Sequence, residues 1–215
     1  MSDTFISESI KYIANIKAVA DKYPAAKLVL STKAKAMLPQ FFTIDNLDER
    51  CITVADGQEL SLGTHNLKFI MAPMVHWPEV MLEYETTEKV LFSADAFGKF
   101  GALSADEDWT CEARRYYFNI VGKYGAPVQT LLKKAAGLDI KTICPLHGPI
   151  LKENLDFYIG KYLTWSSYEP EDDGVLVACA SIHGNTKAAA EKMVDILKEN
   201  GFAKVAFTDL TRDDM

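Results

Sequence analysis

The sequence predicts an α/β fold in which a strand-rich region precedes a single parallel β-α-β unit. Three observations support this prediction. Residues 51–90 contain short β-prone runs separated by glycine, asparagine and proline. Segments with helical spacing of apolar residues flank that region. After a polar, acidic stretch at residues 166–174, an apolar run, a loop and a helical segment follow in an order that is typical of a doubly wound parallel sheet.

The N-terminal region is predicted to alternate helix and strand. Apolar residues at near-helical spacing predict a helix over residues 6–22. Residues 27–30 form an apolar run that predicts a short buried strand. A second helix is expected to run to about Leu38, with Ser31 or Thr32 as its N-cap.

The middle of the chain is predicted to be rich in strands and then in helices. The expected strands lie at residues 52–54, 67–70, 80–84, 89–93 and 140–144. The expected helices lie at residues 108–121, 125–137 and 152–165. This order predicts a first domain at residues 1–165 and a linker at 166–174.

The C-terminal region reads as one β-α-β unit. Its predicted strands lie at 175–179 and 204–207, on either side of a helix at 186–200 that ends before Gly201. A doubly wound domain needs roughly 100 residues to cover both faces of its sheet. We therefore expect residues 175–215 to be the start of a second domain, and the chain to be a piece of a longer protein.

Composition limits the classes of function. The chain has 215 residues and a net charge of −7. Such an acidic surface repels nucleic-acid phosphate and anionic lipid, so neither is an expected partner. The sequence contains no apolar run long enough for a membrane span, and a cytoplasmic location is expected. The four cysteines match no zinc-binding pattern and are expected to be buried thiols.

Three polar residues stand out as candidate metal ligands. His76, Asp95 and His147 each follow a strand-like run, where loops could project side chains into a shared cleft. Imidazole and carboxylate are ligands for iron, zinc or manganese, and one carboxylate can bridge two ions. Each residue alone is equally typical of an ordinary loop that caps or turns the chain.

A second candidate site lies between the apolar strand at 175–179 and the helix that follows. The loop reads Ser181-Ile182-His183-Gly184-Asn185-Thr186. Hydroxyls and backbone N–H groups at a helix N-terminus can bind a phosphate, and Gly184 lets the backbone approach it closely. The loop fits neither the Walker A pattern nor GxGxxG, and a simple helix cap is the alternative interpretation.

From Ala14 onward the chain resembles the flavodiiron proteins. In that family a metallo-β-lactamase-like domain with two irons precedes a flavodoxin-like domain with FMN. The resemblance is carried by His76-Trp77-Pro78-Glu79, the run from Leu91 to Gly98, Ala113-Arg114-Arg115-Tyr116-Tyr117, and Pro145-Leu146-His147-Gly148-Pro149. The loop from Ser181 to Thr186 is similar to the family's Ser/Thr-x-x-Gly-Asn-Thr phosphate loop.

The resemblance implies a partial αββα sandwich followed by the first β-α-β unit of a flavodoxin-like sheet. It implies that His76 binds one iron, that Asp95 bridges both and that His147 binds the other, with no catalytic residue beyond these ligands. The FMN phosphate would lie among Ser181, His183, Gly184, Asn185 and Thr186.

The implied reaction is reduction of dioxygen to water or of nitric oxide to nitrous oxide. The implied electron donor is a rubredoxin-like protein, and the implied assembly of the parent protein is a head-to-tail homodimer.

One family motif is missing. The family has a His-x-Glu-x-Asp-His run just before the segment that matches Ala14, whereas this chain has Ser7-Glu8-Ser9-Ile10-Lys11-Tyr12 there. Glu8 is the one plausible ligand type in that run. Since metal affinity depends on ligand number and geometry, we expect residues 1–215 to be inactive or nearly so.

Two alternatives remain open at the level of sequence. The chain could be a zinc hydrolase of the metallo-β-lactamase type, with His76, Asp95 and His147 among its ligands. It could also be a non-catalytic remnant that binds a partner through an exposed sheet edge. Bound zinc without flavin indicates the first, and the absence of both cofactors indicates the second.

Overall fold

The computed structural model describes residues 4–6, 13–104 and 107–212. It divides into two compact units, Met1–Glu169 and Pro170–Met215. The strands are β1 (Thr4–Ile6), β2 (Lys27–Ser31), β3 (Cys51–Val54), β4 (Glu59–Ser61), β5 (Asn66–Met71), β6 (Met81–Glu85), β7 (Val90–Phe92), β8 (Thr142–Cys144), β9 (Val175–Cys179) and β10 (Val205–Asp209). The α-helices are α1 (Ile13–Lys22), α2 (Thr32–Met37), α3 (Leu47–Arg50), α4 (Trp109–Tyr116), α5 (Gly125–Ala135), α6 (Leu155–Ser167) and α7 (Asn185–Glu199).

The first unit contains two sheets. One sheet is parallel and has the order β1-β2-β3. The other has the order β4-β5-β6-β7-β8; its strands pair antiparallel except for β7 and β8, which are parallel. The parallel pair matters for function, because the carboxyl ends of β7 and β8 meet at the same edge of the sheet.

The two sheets pack face to face with helices on their outer faces. Successive side chains of a strand point to opposite faces, and β2 illustrates the result. Leu28 and Leu30 pack in a core with α1 and α2, whereas Val29 packs against Phe69 of the second sheet. A third core lies on the far face of the second sheet, where α4, α5 and α6 cover it. The predicted αββα layering is therefore present.

Most predicted elements are confirmed, with differences at their ends. The predicted first helix was wrong at its start: Thr4–Ile6 form strand β1, residues 7–12 lie outside the described residues, and the helix begins at Ile13. Strand β4 and helix α3 were not predicted. Helix α6 extends to Ser167, two residues into the predicted linker. Its last turn belongs to the packed first unit, since Trp165 and Ser166 are both buried there.

The Ser31 N-cap is confirmed. Its hydroxyl accepts a hydrogen bond of 3.1 Å from the Ala34 N–H and donates one of 3.1 Å to the Glu79 carbonyl. This residue therefore fixes the start of α2 and also ties it to the loop that carries His76.

The second unit is one parallel β-α-β unit. Strands β9 and β10 pair in parallel over their full length, from Val175 opposite Val205 to Cys179 opposite Asp209. Helix α7 packs on one face through Val194, and the helix ends before Gly201, whose φ is +89°. Leu176, on the other face of β9, is 60% exposed.

The cysteines depart in part from the expectation. All four are free thiols, but of the four only Cys179 is buried; Cys51 and Cys144 are half-buried, and Cys111 is exposed at the start of α4. Its backbone N–H donates a 3.1 Å hydrogen bond to Asp108, which caps that helix, and this capping places residue 111 on the first, solvent-facing turn.

Candidate functional site

The second sheet gathers three loops at one edge. Strands β5, β7 and β8 run in the same direction, because β6 is antiparallel to both of its neighbours. Their carboxyl ends therefore lie together, and His76, Asp95 and His147 follow those ends. Loops after the carboxyl ends of strands are the usual position of ligand sites in α/β sheets.

Asp95 lies between the two imidazoles. His76 Nε2 is 3.5 Å from Asp95 Oδ2, and His147 Nε2 is 3.4 Å from Asp95 Oδ1. The Asp95 side chain is 1% exposed, the His76 side chain 17% and the His147 side chain 40%. Each imidazole thus faces a different oxygen of one buried carboxylate, which is the arrangement that a carboxylate bridging two ions requires.

The loop around Asp95 is held in an unusual backbone conformation. Ala94 has φ +50° and Phe97 has φ +66°, values that residues with a side chain rarely adopt. The Ala96 N–H donates 2.9 Å to the Ser93 carbonyl, and the Ser93 hydroxyl donates 2.8 Å to the Ala96 carbonyl. Strain of this kind persists where the surroundings fix the loop, and it is common at functional sites.

Backbone contacts join the Asp95 loop to the His147 loop. The Ser93 N–H donates to the Cys144 carbonyl at 3.2 Å, and the Leu146 N–H donates to the Ala94 carbonyl at 2.8 Å. A Cβ on Gly98 would lie 3.0 Å from the His147 carbonyl oxygen and 3.1 Å from that of Asp95. The absence of a side chain at Gly98 therefore allows the two loops to approach each other closely.

A buried tyrosine supports the Asp95 loop from below. The Tyr162 hydroxyl accepts a 2.7 Å hydrogen bond from the Phe97 N–H, and the two rings pack with centroids 4.5 Å apart. Burial raises the pKa of Tyr162, and the nearby charge of Asp95 acts in the same direction. The hydroxyl therefore stays neutral and serves as a fixed acceptor at the base of the loop.

The His147 ring is positioned by its neighbours. Tyr116, which is buried on α4, lies with its ring centroid 5.7 Å from that of His147. The Lys99 N–H donates 3.3 Å to the His147 carbonyl. Gly148 follows with φ +97°, where any other residue would be strained and would meet Lys99.

The donors present fit part of a two-ion site. Each ion would receive one imidazole and one oxygen of Asp95, whereas protein metal sites usually supply three or four ligands. Within the described parts of the chain, no group of three or more His, Cys, Asp or Glu side chains is arranged to hold a single metal ion. Glu8, the remaining ligand candidate from the sequence, lies outside the described residues.

The predicted phosphate loop lies at the N-terminus of α7, in the second unit. The Gly184 N–H donates 3.0 Å to the Ser181 hydroxyl, and Gly184 has φ +86° as the N-cap of the helix. His183, Asn185 and Thr186 are exposed beside it. The backbone N–H groups of the first turn of α7 therefore face solvent at the carboxyl end of β9, where an anion could bind.

The first turn of α7 is also tied to the end of β10. Lys187 Nζ lies 3.7 Å from the buried Asp209 carboxylate. The side-chain hydroxyl and then the backbone N–H of Thr211 hold the pKa of Asp209 below its usual range. Asp209 is thus a fixed carboxylate that keeps Lys187 close to the predicted phosphate loop.

His65, the remaining histidine of the chain, lies in a turn near the surface. It lies in the turn before β5 with its side chain 47% exposed, and its Nδ1 is 3.2 Å from Glu85 Oε1. It takes no part in the His76–Asp95–His147 cluster.

Several residues that shape the site were not predicted to do so. Tyr162 is separated from Phe97 by 65 positions and belongs to no motif, so nothing in the sequence indicated their contact. Gly98 and Gly148 did carry a signal, because each lies within a segment that resembles the family. Their role in close approach is evident only from the packing of the two loops.

The αββα layers and the histidine–carboxylate edge define a metallo-β-lactamase-like domain. Residues 12–148 match the profile described as ODP family beta lactamase, and the chain belongs to that family. The match ends one residue after His147. The segment that holds all three candidate ligands is therefore the segment that defines the family.

Two curated relatives illustrate the sequence similarity. An uncharacterized protein of Methanocaldococcus jannaschii is 34% identical over 197 residues, which cover 87% of this chain and 49% of the relative. The nitric oxide reductase of Moorella thermoacetica is 30% identical over 193 residues, covering 86% of this chain and 48% of the relative. The chain thus spans about half the length of each of these relatives.

Solved structures confirm the predicted resemblance to flavodiiron proteins. The flavodiiron protein from Giardia intestinalis matches with a TM-score of 0.82 and 27% identity, over 93% of this chain and 50% of that chain. The rubredoxin oxygen:oxidoreductase from Desulfovibrio gigas matches with a TM-score of 0.84 and 25% identity, over 98% of this chain and 55% of that one. Across the parts of the chain that the structure describes, no helix is both long and apolar enough to cross a membrane.

Proposed function

We propose that this chain is part of a flavodiiron oxidoreductase that reduces dioxygen to water or nitric oxide to nitrous oxide. The observation that carries the proposal is the placement of Asp95, whose two oxygens face two different imidazoles at 3.4 and 3.5 Å. A pair of irons bound there would supply the redox chemistry, with electrons from FMN. The names of two relatives, a nitric oxide reductase and a rubredoxin oxygen:oxidoreductase, support both candidate substrates.

In this proposal the three ligands have distinct roles. His76 would hold one iron, His147 would hold the other, and Asp95 would contribute to both. Burial of Asp95 favours the bridge, because the electrostatic attraction between a carboxylate and two cations is stronger away from water than in it. His147 is the more exposed of the two imidazoles, so its side of the site is open to solvent.

The flavin half of the proposal rests on the N-terminus of α7. The residues that would hold the FMN phosphate are Ser181, His183, Gly184, Asn185 and Thr186. Hydroxyls and the backbone N–H groups of the first turn would be its hydrogen-bond donors. The positive end of the helix dipole favours the same anion. Lys187, held by Asp209, adds a nearby positive charge.

The domain assignment follows from the same proposal. The residues up to the end of α6 at Ser167 are a partial metallo-β-lactamase-like domain, 168–174 a linker and 175–215 the start of a flavodoxin-like domain. In the parent protein, two copies would associate head to tail, which would place the flavin of one copy where it can supply electrons to the irons of the other. A rubredoxin-like protein is the electron donor, in keeping with the name of the Desulfovibrio gigas relative.

Cofactor loading tests the proposal directly. The chain is incubated anaerobically with ferrous iron and FMN, desalted and measured for both. We expect bound FMN and weakly bound iron. Removing a side chain that only hydrogen-bonds to a metal ligand already lowers metal affinity by about tenfold or more. Asp95→Asn changes a ligand itself, so it should lower iron affinity by at least about tenfold. Asp45→Asn, at an exposed carboxylate, should leave the iron content unchanged.

The outcomes separate the alternatives. Iron and FMN both absent from the folded chain would overturn the flavodiiron proposal. Tight binding of zinc that depends on Asp95, without FMN, would indicate a hydrolase of the metallo-β-lactamase type instead. We expect little or no consumption of dioxygen or nitric oxide by residues 1–215, because each ion has one imidazole and one carboxylate oxygen from the described residues.

A further inference from the structure

An apolar cavity lies inside the first unit, next to the candidate metal centre. Its volume is about 410 Å³, and it lies between the second sheet and helices α5 and α6. Its inner wall includes Val75 and Ala96, the residues directly before His76 and directly after Asp95. The cavity therefore borders the two loops that carry candidate ligands, although it contains neither ligand itself.

The lining of the cavity changes from its buried end to its rim. Leu82, Leu91 and Ile143, from the sheet, are 1%, 1% and 0% exposed. The charged lining residues are Lys133, Asp139 and Asp156, and all three lie on the exposed surface. The charged groups therefore mark the mouth of the cavity, and the interior offers aliphatic side chains.

This lining selects for small neutral molecules. Protein interiors are normally close-packed, and an apolar cavity of about 150 Å³ stays dry and takes up benzene or xenon. The Lys89 ammonium beside Asp139 holds the pKa of that carboxyl below its usual range, so Asp139 is ionised at the mouth. The mouth carries both signs of charge, whereas the interior carries none, so a charged ligand inside the cavity would lose its hydration without gaining a partner.

We propose that this cavity is a binding site for a small neutral gas, which it holds beside the Asp95 loop. The identity of that gas, dioxygen or nitric oxide, rests on the proposed function. The wall between the cavity and the site is the segment from Ala96 to Phe97, which Tyr162 fixes through its hydrogen bond to the Phe97 N–H.

Dioxygen itself is the probe for a test that requires neither iron nor FMN. Methyl groups of the chain are observed by NMR at increasing dioxygen pressure, because the paramagnetic gas enhances the relaxation of methyls that it contacts. We expect a strong enhancement at Leu131, which is 4% exposed and lines the cavity. Leu28, which is 0% exposed and packs in a different core, is the matched buried control and should change little.

Two variants at one position distinguish occupied space from a damaged fold. Val128 lines the cavity and is 1% exposed. Val128→Phe fills the space and should abolish the enhancement at Leu131, whereas Val128→Ala should keep it. Circular dichroism confirms that both variants are folded. Equal enhancement at Leu131 and Leu28 in the folded wild type would overturn the proposal, as would an enhancement that survives in folded Val128→Phe.

Decanoate provides the competing test for a lipid ligand. If decanoate removes the dioxygen effect at Leu131, the cavity binds acyl chains, and its assignment to a gas is wrong. A dioxygen effect in a chain that fails to bind iron and FMN would uphold the cavity and overturn the proposed function. Bound iron and FMN without a dioxygen effect would uphold the proposed function and overturn the gas-binding role of the cavity.

Discussion

The Tyr162 hydroxyl accepts a 2.7 Å hydrogen bond from the Phe97 N–H, two residues beyond Asp95. The contact connects α6 to the loop that places a carboxylate between two imidazoles. Tyr162 is 1% exposed, so water is not available to replace the hydroxyl. The Asp95 loop is therefore fixed by a residue that takes no part in the candidate ligand set.

Tyr162→Phe tests this support. The variant keeps the ring packing and leaves the Phe97 N–H buried without its acceptor, which should cost about 1–3 kcal/mol of unfolding free energy. Urea denaturation followed by circular dichroism measures the loss. Tyr23 is 46% exposed, so Tyr23→Phe removes a solvated hydroxyl and should hardly change the unfolding free energy. Equal stability of the two variants would show that the Tyr162 contact contributes nothing.

Gly98→Ala tests the close approach of the Asp95 and His147 loops. The added methyl would lie 3.0 Å from the His147 carbonyl oxygen and 3.1 Å from that of Asp95, so the loops must move apart. We expect weaker iron binding in the loading assay, since affinity depends on ligand geometry. Gly160→Ala has open space around its added Cβ and is the matched control. Unchanged iron affinity in Gly98→Ala would mean that the loops tolerate the methyl.

Gly184→Ala tests the left-handed N-cap of α7. Nothing lies within 4 Å of the added Cβ, so the penalty comes from φ +86° alone. A side chain in this conformation costs about 1–2 kcal/mol, and we expect weaker FMN binding together with lower stability of the second unit. Gly184→Asn should recover part of both, because Asn tolerates this conformation. Hydrogen exchange of α7 amides and FMN titration provide the two measurements.

Gly137→Ala is the control for that experiment. Its added Cβ also has open space, and its φ lies outside the left-handed region. The substitution should be neutral or stabilise the chain by about 0.4–1 kcal/mol, because it reduces the entropy of the unfolded state. If Gly137→Ala lowered stability as much as Gly184→Ala, the left-handed backbone of Gly184 would not explain the effect.

We expect Glu85 to contribute to the loss of folding stability at acidic pH. Burial by itself raises the pKa of Glu85, but hydrogen bonds from the Glu88 and Thr87 N–H groups outweigh it and lower the pKa from 4.5 to about 2. A carboxyl whose pKa is lowered on folding stabilises the folded state above its unfolded pKa. That stabilisation should be complete above pH 4.5 and should be lost as the pH falls towards about 2.

Acid titration of Glu85→Gln tests this contribution. The variant should lose stability at neutral pH and should show a shallower fall in stability over the acidic range, measured by urea unfolding at a series of pH values. Glu59→Gln, at an exposed carboxyl of β4, should retain the wild-type slope. An unchanged slope in Glu85→Gln would show that Glu85 does not bind protons differently in the two states.

The sequence allowed prediction of the elements and the candidate residues because those signals are local. The apolar run of the strand at Lys27–Ser31, the Ser31 cap and the Gly201 stop each depend on neighbouring positions, and all three are present in the structure. Local signals failed at β1, since Thr4–Ile6 form a strand only by pairing with β2. No local sequence pattern near residues 4–6 indicates pairing with a strand that lies more than 20 positions away.

The sequence by itself determined which chemical groups are available: two imidazoles and one carboxylate after strand-like runs, and a Ser/Gly/Asn/Thr loop before a helix. Only the tertiary structure decided that His76 and His147 face different oxygens of Asp95, because that geometry depends on the parallel pairing of β7 with β8. It also decided that Tyr162 supports the Asp95 loop and that an apolar cavity borders it. These contacts join positions far apart in the chain, and burial and packing bring them together rather than any local preference.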